Sequence, residues 1–388
     1  MPYPRRAGND PFNSFWMAGF EGADHVNLAG LQLDMVHITG HAEQCADDYA
    51  LAATMGMKTV RESVGWRVCA PVSWRSVDFS RLRSTARAAA QQDVQVLWTL
   101  MHYGTPPDVD ITKPEFSDCF ADFAGAAARE LRAIHGTPSI YNPINEIGFL
   151  SWALEAKALV GGMPDGIDGH GIKCRLVHAA LQATEAIRAA DPGARFLHVE
   201  PLIHVVAPRA QPGLAQAAAD YCTYQWQVWD MLLGRMSPEL GGSPASTDWI
   251  GVNHYHDAQW EIGTGQRLDW ALRDPRRRPF AALLQETWQR YQLPIVVAET
   301  SHVGDNRAAW LAEMAAQTLA ARQQGVSVQG MCLYPAVDRP CWNNLSHWHR
   351  SGLWDNLQDD TASAPPAVPR RLAGAYARAL GHWQQQLR

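Results

Sequence analysis

The sequence has no excess of positive charge, no apolar run long enough to cross a bilayer and no Cys-x-x-Cys pair. A net charge of −6 with 47% hydrophobic residues is typical of an ordinary globular chain. Nucleic-acid-binding surfaces need clustered basic residues, and a membrane helix needs about 20 consecutive apolar residues. We therefore expect neither a nucleic-acid partner nor a membrane partner.

Cysteine is present but is not arranged for cross-linking. The seven cysteines are an odd number and are widely spaced, at positions 45, 69, 119, 174, 222, 332 and 341. Free thiols in a reducing compartment fit this pattern better than a disulfide framework does. The first residues, Met1–Arg6, also carry no apolar signal segment. The expected location is the cytoplasm.

Strand-like and helix-like segments alternate along the chain. Eight apolar runs are predicted as strands: Phe15–Phe20, Lys58–Glu62, Val94–Leu100, Ser139–Ile144, Arg195–Glu200, Asp248–Asn253, Pro294–Ala298 and Ser327–Leu333. A predicted helix follows each of them: Ala42–Met55, Asp78–Gln92, Ser117–His135, Ile172–Ala190, Gly213–Gly234, Phe280–Gln292, Arg307–Gln324 and Pro369–Gln386, the last preceded by a loop over Thr361–Pro369. Strands separated by helices pair in parallel, and eight such units close into a barrel. We predict an α/β fold, a single (β/α)8 TIM barrel, with residues 1–388 forming one domain.

Polar and aromatic residues crowd the C-terminal ends of these predicted strands, which is where barrels of this class carry their chemistry. A purely structural barrel does not need them there. In chain order they are Glu21, Asp24 and His25; Arg61, Trp66 and Arg67; His102 and Tyr103; Asn145 and Glu146; His198 and Glu200; Asn253, His254, Tyr255 and His256; Glu299 and His302; and Tyr334, Asp338 and Trp342.

Two of these strand ends present a glutamate. Tyr141–Glu146 and Ile295–Glu299 are strand-forming runs at the fourth and seventh strand positions. A buried carboxylate is unfavourable unless it is partnered, so two at strand ends suggest a use. Two carboxylates aimed into one pocket are sufficient to cleave a glycosidic bond. The sixteen tryptophans agree with a sugar ligand where they lie at strand ends, although most are expected in the core.

Four segments, in order along nearly the whole chain, resemble the clan A retaining glycosidases and are most similar to the β-glucosidase-like family 1. The segment Arg61–Arg67 with Pro71 resembles the Arg-x-Ser-x-x-Trp-x-Arg pattern of that family, with Arg67 directly after Trp66. Leu97–His102, followed by two prolines, resembles its Thr-Leu-x-His segment. Ile250–Tyr255 resembles Ile-Gly-x-Asn-x-Tyr, and Gly352–Asp355 resembles the late Gly-Leu…Asp. The resemblance implies a (β/α)8 barrel that hydrolyses β-linked glycosides without a cofactor.

The chain departs from the family pattern at several places. Asn145-Glu146-Ile147 stands for Asn-Glu-Pro, and Ala298–Ser301 stands for Thr-Glu-Asn-Gly. The early glutamine that grips substrate hydroxyls is not evident, and Glu21 stands near its place. The Trp-rich segment after strand eight is replaced by Tyr334–Trp342. The catalytic residues therefore match the family better than the sugar-binding residues do.

The resemblance implies a role for each matching residue. Glu299 is expected to be the nucleophile and Glu146 the acid/base, with the carboxyl groups roughly 5–5.5 Å apart as retention requires. Arg61 and Tyr255 are expected to partner Glu299, and Asn145 to bind the sugar 2-hydroxyl. The remaining predicted substrate-binding residues are His102, Asn253, Trp342, Glu21 and Trp66.

Three alternatives remain at the level of sequence. The barrel could transfer the sugar to an acceptor other than water. His198 and the pair His254-x-His256 could approach the ligand set of a metal-dependent hydrolase, although strand one lacks the His-x-His usual in that fold. Finally, the barrel could bind sugar without catalysis. No metal is expected on the favoured interpretation.

Overall fold

The computed structural model describes residues 11–161, 166, 168–356 and 369–388. Its central feature is a closed barrel of eight parallel strands, which confirms the predicted fold class. We label them β1 to β8 in chain order: Trp16–Gly19, Thr59–Ser63, Gln95–Met101, Ile140–Ile144, Arg195–Pro201, Trp249–Asn253, Ile295–Thr300 and Val328–Leu333. Each strand pairs with its sequence neighbours, and β1 pairs with β8 to close the ring.

Helices surround the barrel and are labelled α1 to α12. Their bounds are Met35–Ile38, His41–Thr54, Trp66–Cys69, Ser80–Gln91, Phe116–His135, Ile147–Glu155, Gly169–Ala190, Ala215–Thr223, Gln227–Leu232, Phe280–Tyr291, Arg307–Gln323 and Gly374–Trp383. Short strands pair outside the barrel at His204–Val206 with Gln259–Glu261, Arg339–Cys341 with Asn344–His349, and Trp354–Asn356 with Arg370–Leu372. Among the described residues, no helix is both long enough and apolar enough to cross a membrane. All seven cysteines lie in described segments and are free thiols.

Buried apolar side chains fill the interior of the barrel. Met17, Leu97, Val199 and Val296 alternate inward from their strands and form one buried cluster with Trp249. Alternate residues of a strand point to opposite faces, which is why each strand contributes both to this interior and to the layer under the helices. The barrel is therefore a packed core and not an open pore.

The predicted helix Gly213–Gly234 is wrong as a single element. The structure breaks it into a 3₁₀ turn at Pro212–Leu214, α8, a second 3₁₀ turn at Tyr224–Trp226, and α9. One residue of α8 is buried, Ala218, whereas α9 buries five of its six residues. The tighter 3₁₀ turn between them lets the chain pass from an exposed helix to a buried one.

The predicted closing helix Pro369–Gln386 begins too early. Arg370–Leu372 is a short strand instead, and α12 starts at Gly374. The extended backbone places Arg370 against Asp48 and Arg371 against Asp355, both at 2.8 Å. These ion pairs and the strand pairing with Trp354–Asn356 outweigh helix propensity here. Of the predicted loop Thr361–Pro369, all but Pro369 lies outside the described residues, and the prediction of one domain stays a prediction.

A buried charge network ties α2 to β2. The two ring nitrogens of His41 lie 2.7 Å from Asp48 and 2.8 Å from Glu62, and the Tyr49 hydroxyl donates to Glu62 at 2.7 Å. Burial alone would lower the pKa of His41, but the charge of Glu62 and the hydrogen bond to Asp48 raise it well above its usual value. His41 is therefore an imidazolium held between two carboxylates.

We expect His41→Leu to lower the free energy of unfolding by about 3–5 kcal/mol, because Asp48 and Glu62 would lose their shared cation inside the protein. The His41 contribution is fully present below pH about 6.5 and is lost as the pH rises through its higher folded-state pKa. Denaturant unfolding at pH 6 measures it. The control is His37→Leu, since His37 pairs with Glu43 at the surface; it should change stability by less than about 1 kcal/mol. Equal losses in both variants would contradict the buried network.

Candidate active site

A cavity of about 1060 Å³ opens at the C-terminal ends of the barrel strands. Most of the predicted site residues line it: Glu21, His102, Glu146, Asn253, Tyr255, Glu299 and Trp342. They come from strand ends or the loops that follow them, because parallel strands present all their C-termini at one rim. Residues far apart in the sequence thus meet in one place.

Glu299 lies near the end of β7 and is 4% exposed. One carboxylate oxygen pairs with the Arg61 guanidinium, and the other accepts a hydrogen bond of 2.5 Å from the Tyr255 hydroxyl. Burial alone would lower the pKa of Arg61, but the charge of Glu299, the hydrogen bond to it and the nearby Tyr334 together raise that pKa. A carboxylate oriented by a cation on one oxygen and a hydroxyl on the other is arranged as a nucleophile needs.

Glu146 follows β4 after one residue, Asn145, and is the N-cap residue of α6, with φ 44° and ψ 62°. This left-handed backbone is uncommon for a residue with a side chain and often marks a functional position. Its carboxyl accepts hydrogen bonds from the Tyr103 hydroxyl at 2.6 Å and from the Asn253 amide at 2.8 Å. Burial, followed by the charge of Glu299, raises the pKa of Glu146 to about 7. At neutral pH it can therefore both give and take a proton.

A chain of hydrogen bonds links the two carboxyl groups beneath the cavity. Arg61, which pairs with Glu299, also donates to the Asn145 side-chain oxygen at 2.5 Å. The Asn145 amide donates to the Tyr103 hydroxyl at 3.0 Å, and Tyr103 in turn donates to Glu146. Arg61 and Asn145 are not among the residues that line the cavity, and Asn145 has no exposed surface. In this geometry they orient the lining residues. Arg61 partners Glu299 as expected, and the contact of Asn145 with the sugar 2-hydroxyl stays a prediction.

Glu21, His102, Arg339 and Trp342 form a further part of the cavity lining. Glu21 pairs with Arg339 at 2.8 Å and accepts from the backbone of Ala23 at 3.1 Å. Burial raises the pKa of Glu21, and the charge of Arg339 opposes that rise. His102 is neutral, since burial and the charge of Arg61 hold its pKa well below the usual value. The ring of Trp342 lies 5.8 Å from that of Tyr103, so it can cover a sugar ring.

Trp66 does not belong to the site. Its side chain is fully buried and packs against Phe116, Phe120 and Phe123 of α5, with ring centroids 5.2 to 5.8 Å apart. A side chain without exposed surface cannot contact a ligand in the cavity. Trp66 follows Arg61 by five residues, which suggested that both reach the cavity. The short helix α3 instead directs the Trp66 side chain into the core. Its predicted substrate contact is therefore wrong.

Several solved structures of glycosidases share this architecture. A family 1 β-glucosidase from Thermotoga maritima superposes with a TM-score of 0.73 at 13% identity, over 96% of this chain and 97% of that one. A β-glycosidase from the hyperthermophile Thermosphaera aggregans gives 0.72 at 14% identity, over 100% and 99%. A further β-glycosidase, BGL167, gives 0.73 at 17% identity, over 98% of each chain. The fold is that of the family 1 β-glucosidases. No protein-family model matches the sequence, and no curated protein matches it significantly.

Within this family 1 fold, the histidines of the metal alternative are engaged elsewhere. His198 bonds the Ser246 carbonyl at 3.2 Å, His254 bonds the Leu202 carbonyl at 2.7 Å, and His256 stacks on His302 at 3.9 Å. In the part of the chain that the structure describes, the group with metal-ligand spacing is His41, Cys45 and Glu62, where both His41 nitrogens already face carboxylates. Neither arrangement supports a catalytic metal among the strand ends.

Sequence reasoning underrated three residues of the site. Tyr103 appeared at a strand end, yet only the structure shows its hydroxyl on Glu146. Arg339 gave no signal, because its hairpin has no counterpart in the family pattern. Glu200 stood at a predicted strand end without an assigned role; it is 2% exposed and lines the cavity.

We expect Tyr103→Phe to move the alkaline limb of the activity profile upward in pH. The hydrogen bond from Tyr103 lowers the pKa of Glu146, whereas burial and the charge of Glu299 raise it. Loss of the hydrogen bond should therefore raise the pKa of Glu146 further. The pH dependence of kcat/KM on an aryl glycoside measures the shift. Tyr291→Phe is the matched control, since its hydroxyl faces Asp230 away from the cavity. A limb that stays in place, or moves down, would contradict the assignment.

Proposed function

We propose that this chain is a retaining glycoside hydrolase that cleaves β-linked sugars by double displacement. The observation that carries the proposal is the pair of glutamates in one cavity with opposite environments. Glu299 lies between the Arg61 guanidinium and the Tyr255 hydroxyl, whereas burial and the Glu299 charge keep Glu146 protonated up to about neutral pH by raising its pKa to about 7. Such a division of roles between two carboxyls is what glycoside cleavage requires. The β-glucosidase and β-glycosidase names of the structural neighbours support β-linked substrates.

In the first step, a Glu299 oxygen attacks the anomeric carbon and the bond to the leaving oxygen breaks. Glu146 gives its proton to that oxygen, so the leaving group departs as a neutral alcohol. The positive charge that develops on the sugar ring is stabilised by the nearby Glu299 carboxylate. Asn253, which donates to Glu146 from the end of β6, holds the acid in place during the transfer.

In the second step, water replaces the enzyme on the sugar. Once Glu299 is esterified it carries no charge, so the repulsion that raised the pKa of Glu146 is gone. Glu146 then ionises more easily and takes a proton from water, whose oxygen bonds to the anomeric carbon as the ester bond breaks. Two inversions at one carbon give overall retention of configuration.

A screen of aryl β- and α-glycosides, followed by NMR of the first-formed sugar anomer, tests the proposal. We expect turnover of at least one β-glycoside with β-anomer released first. Release of the α-anomer would contradict double displacement, and failure on every glycoside would leave the non-catalytic alternative. A product in which the sugar is bound to an added alcohol instead of water would identify transfer as the main reaction.

A further inference from the structure

We propose that Glu200 and Lys173 recognise a hydroxylated leaving group, so that the substrate is a β-linked disaccharide or oligosaccharide rather than the glycoside of an apolar aglycone. This inference rests on the proposed function, in which Glu146 protonates the leaving oxygen. It assigns a use to two ionisable side chains of the cavity that the double displacement itself does not employ.

Glu200 lies beside the acid/base glutamate. It is the penultimate residue of β5, and its Oε2 accepts a hydrogen bond of 2.9 Å from the backbone N–H of Gly148 in the first turn of α6. Glu146 is the N-cap residue of that helix, two residues before Gly148. A Cβ at Gly148 would lie 2.5 Å from Glu200 Oε2, so a glycine is what permits this approach. The contact fixes the Glu200 carboxyl next to Glu146, on the α6 side of the cavity.

The Glu200 carboxyl can both donate and accept hydrogen bonds. Burial, followed by the charge of Glu146, raises its pKa well above the usual range. It therefore stays protonated to a higher pH than an exposed glutamate would. A protonated carboxyl offers one O–H donor and an acceptor oxygen, which is the complement of a sugar hydroxyl.

Lys173 provides the second polar group. It projects from α7, is partly buried and lines the same cavity. Its ammonium donates to the Gln227 side chain at 2.7 Å rather than to Glu200. The Glu200 carboxyl from β5, the Lys173 ammonium from α7 and the Gln227 amide from α9 thus line the same cavity.

An apolar aglycone would not suit this wall. It would displace water from Glu200 and Lys173 without replacing the lost hydrogen bonds, which disfavours binding. A sugar ring supplies hydroxyls for both groups, and its C–H face can stack on Trp152 or Tyr224, which are 42% and 52% exposed at the rim. The cavity volume of about 1060 Å³ leaves room for more than one ring.

The test compares two substrates that share the sugar best accepted in the aryl glycoside screen: its aryl β-glycoside and its β-linked disaccharide. We expect Lys173→Met to lower the disaccharide-to-aryl ratio of kcat/KM by about ten- to hundredfold, the effect of one hydrogen bond to a charged group. Lys113→Met, at an exposed lysine between β3 and α5, is the matched control and should leave the ratio unchanged. Glu200→Leu should also lower the ratio at least tenfold, whereas Glu200→Gln, which keeps a donor and an acceptor, should retain most of it.

An unchanged ratio in Lys173→Met and Glu200→Leu would overturn the inference while leaving the proposed function intact. Wild-type protein that cleaves aryl glycosides but no disaccharide would overturn it in the same way. Absence of turnover on every glycoside would instead overturn the proposed function, and the inference with it.

Discussion

Replacing Glu299 with alanine is expected to reduce kcat by a factor on the order of 10⁵, the scale on which loss of a catalytic nucleophile acts. No other carboxylate of the site is held as Glu299 is, between the Arg61 guanidinium and the Tyr255 hydroxyl. Without it, the anomeric carbon has no protein nucleophile and the covalent intermediate cannot form. Steady-state rates on an aryl β-glycoside measure the loss.

Azide should restore part of that activity. The shorter side chain leaves space for a small anion on the face that Glu299 occupied, and a single displacement there yields a glycosyl azide of inverted configuration. Glu185→Ala removes an exposed carboxylate on α7 and serves as the control, with activity expected to match wild type. A Glu299→Ala variant with full activity, or an azide product of retained configuration, would contradict the nucleophile assignment.

Replacing Glu146 with glutamine is expected to lower kcat/KM about 10²- to 10⁴-fold on glycosides with poor leaving groups, since these depend on general acid catalysis. Substrates with strongly acidic phenol leaving groups need no proton and should lose far less in the first step. The contrast between leaving groups separates loss of the acid from general damage to the site.

The same variant should change the pH profile. Wild-type kcat/KM should fall as the pH rises through about 7, because Glu146 must be protonated to act as the acid and its pKa is raised to about 7 by burial and by Glu299. In Glu146→Gln this alkaline fall should disappear, since glutamine does not titrate. A fall that persists in the variant would assign that limb to another group, and equal losses on good and poor leaving groups would contradict the acid role.

The barrel could be predicted from the sequence because its strands are short, buried on both faces and separated by helices. Ile295–Thr300, for example, is buried throughout, and its apolar run needs no tertiary information to be recognised. Gly136 likewise ends α5 with φ 68°, as a terminating glycine should. Local composition decides such features.

The errors arose where distant contacts decide the backbone. Arg370–Leu372 is extended because it pairs with Trp354–Asn356 and because Arg370 reaches Asp48, more than 300 positions earlier. The segment Tyr224–Trp226 forms a 3₁₀ turn, not a continuation of the α-helix, and the helix that follows it, α9, is buried. No pattern within either segment shows these partners.

The expectation that residues at the C-terminal strand ends share one cavity was enough to bring Glu146 and Glu299 together. It could not distinguish residues that line the cavity from residues buried beneath its surface. Asn145 and Glu146 are adjacent in sequence, yet Asn145 is fully enclosed by Arg61, His102 and Tyr103 while Glu146 faces the cavity. Trp66 was misplaced for the same reason, since α3 turns it into the core. Depth below a surface depends on side-chain packing, which spacing along the chain does not encode.

The central claim is that a sugar becomes covalently bound to Glu299 while Glu146 serves as its acid and base. A 2-deoxy-2-fluoro β-glycoside with a good leaving group forms this ester quickly but releases it slowly, so peptide mass mapping of the treated protein can locate it. We predict one fluorosugar per chain, attached to the peptide that contains Glu299, and none in Glu299→Ala. Label on a different residue, or rapid turnover without any label, would contradict the claim.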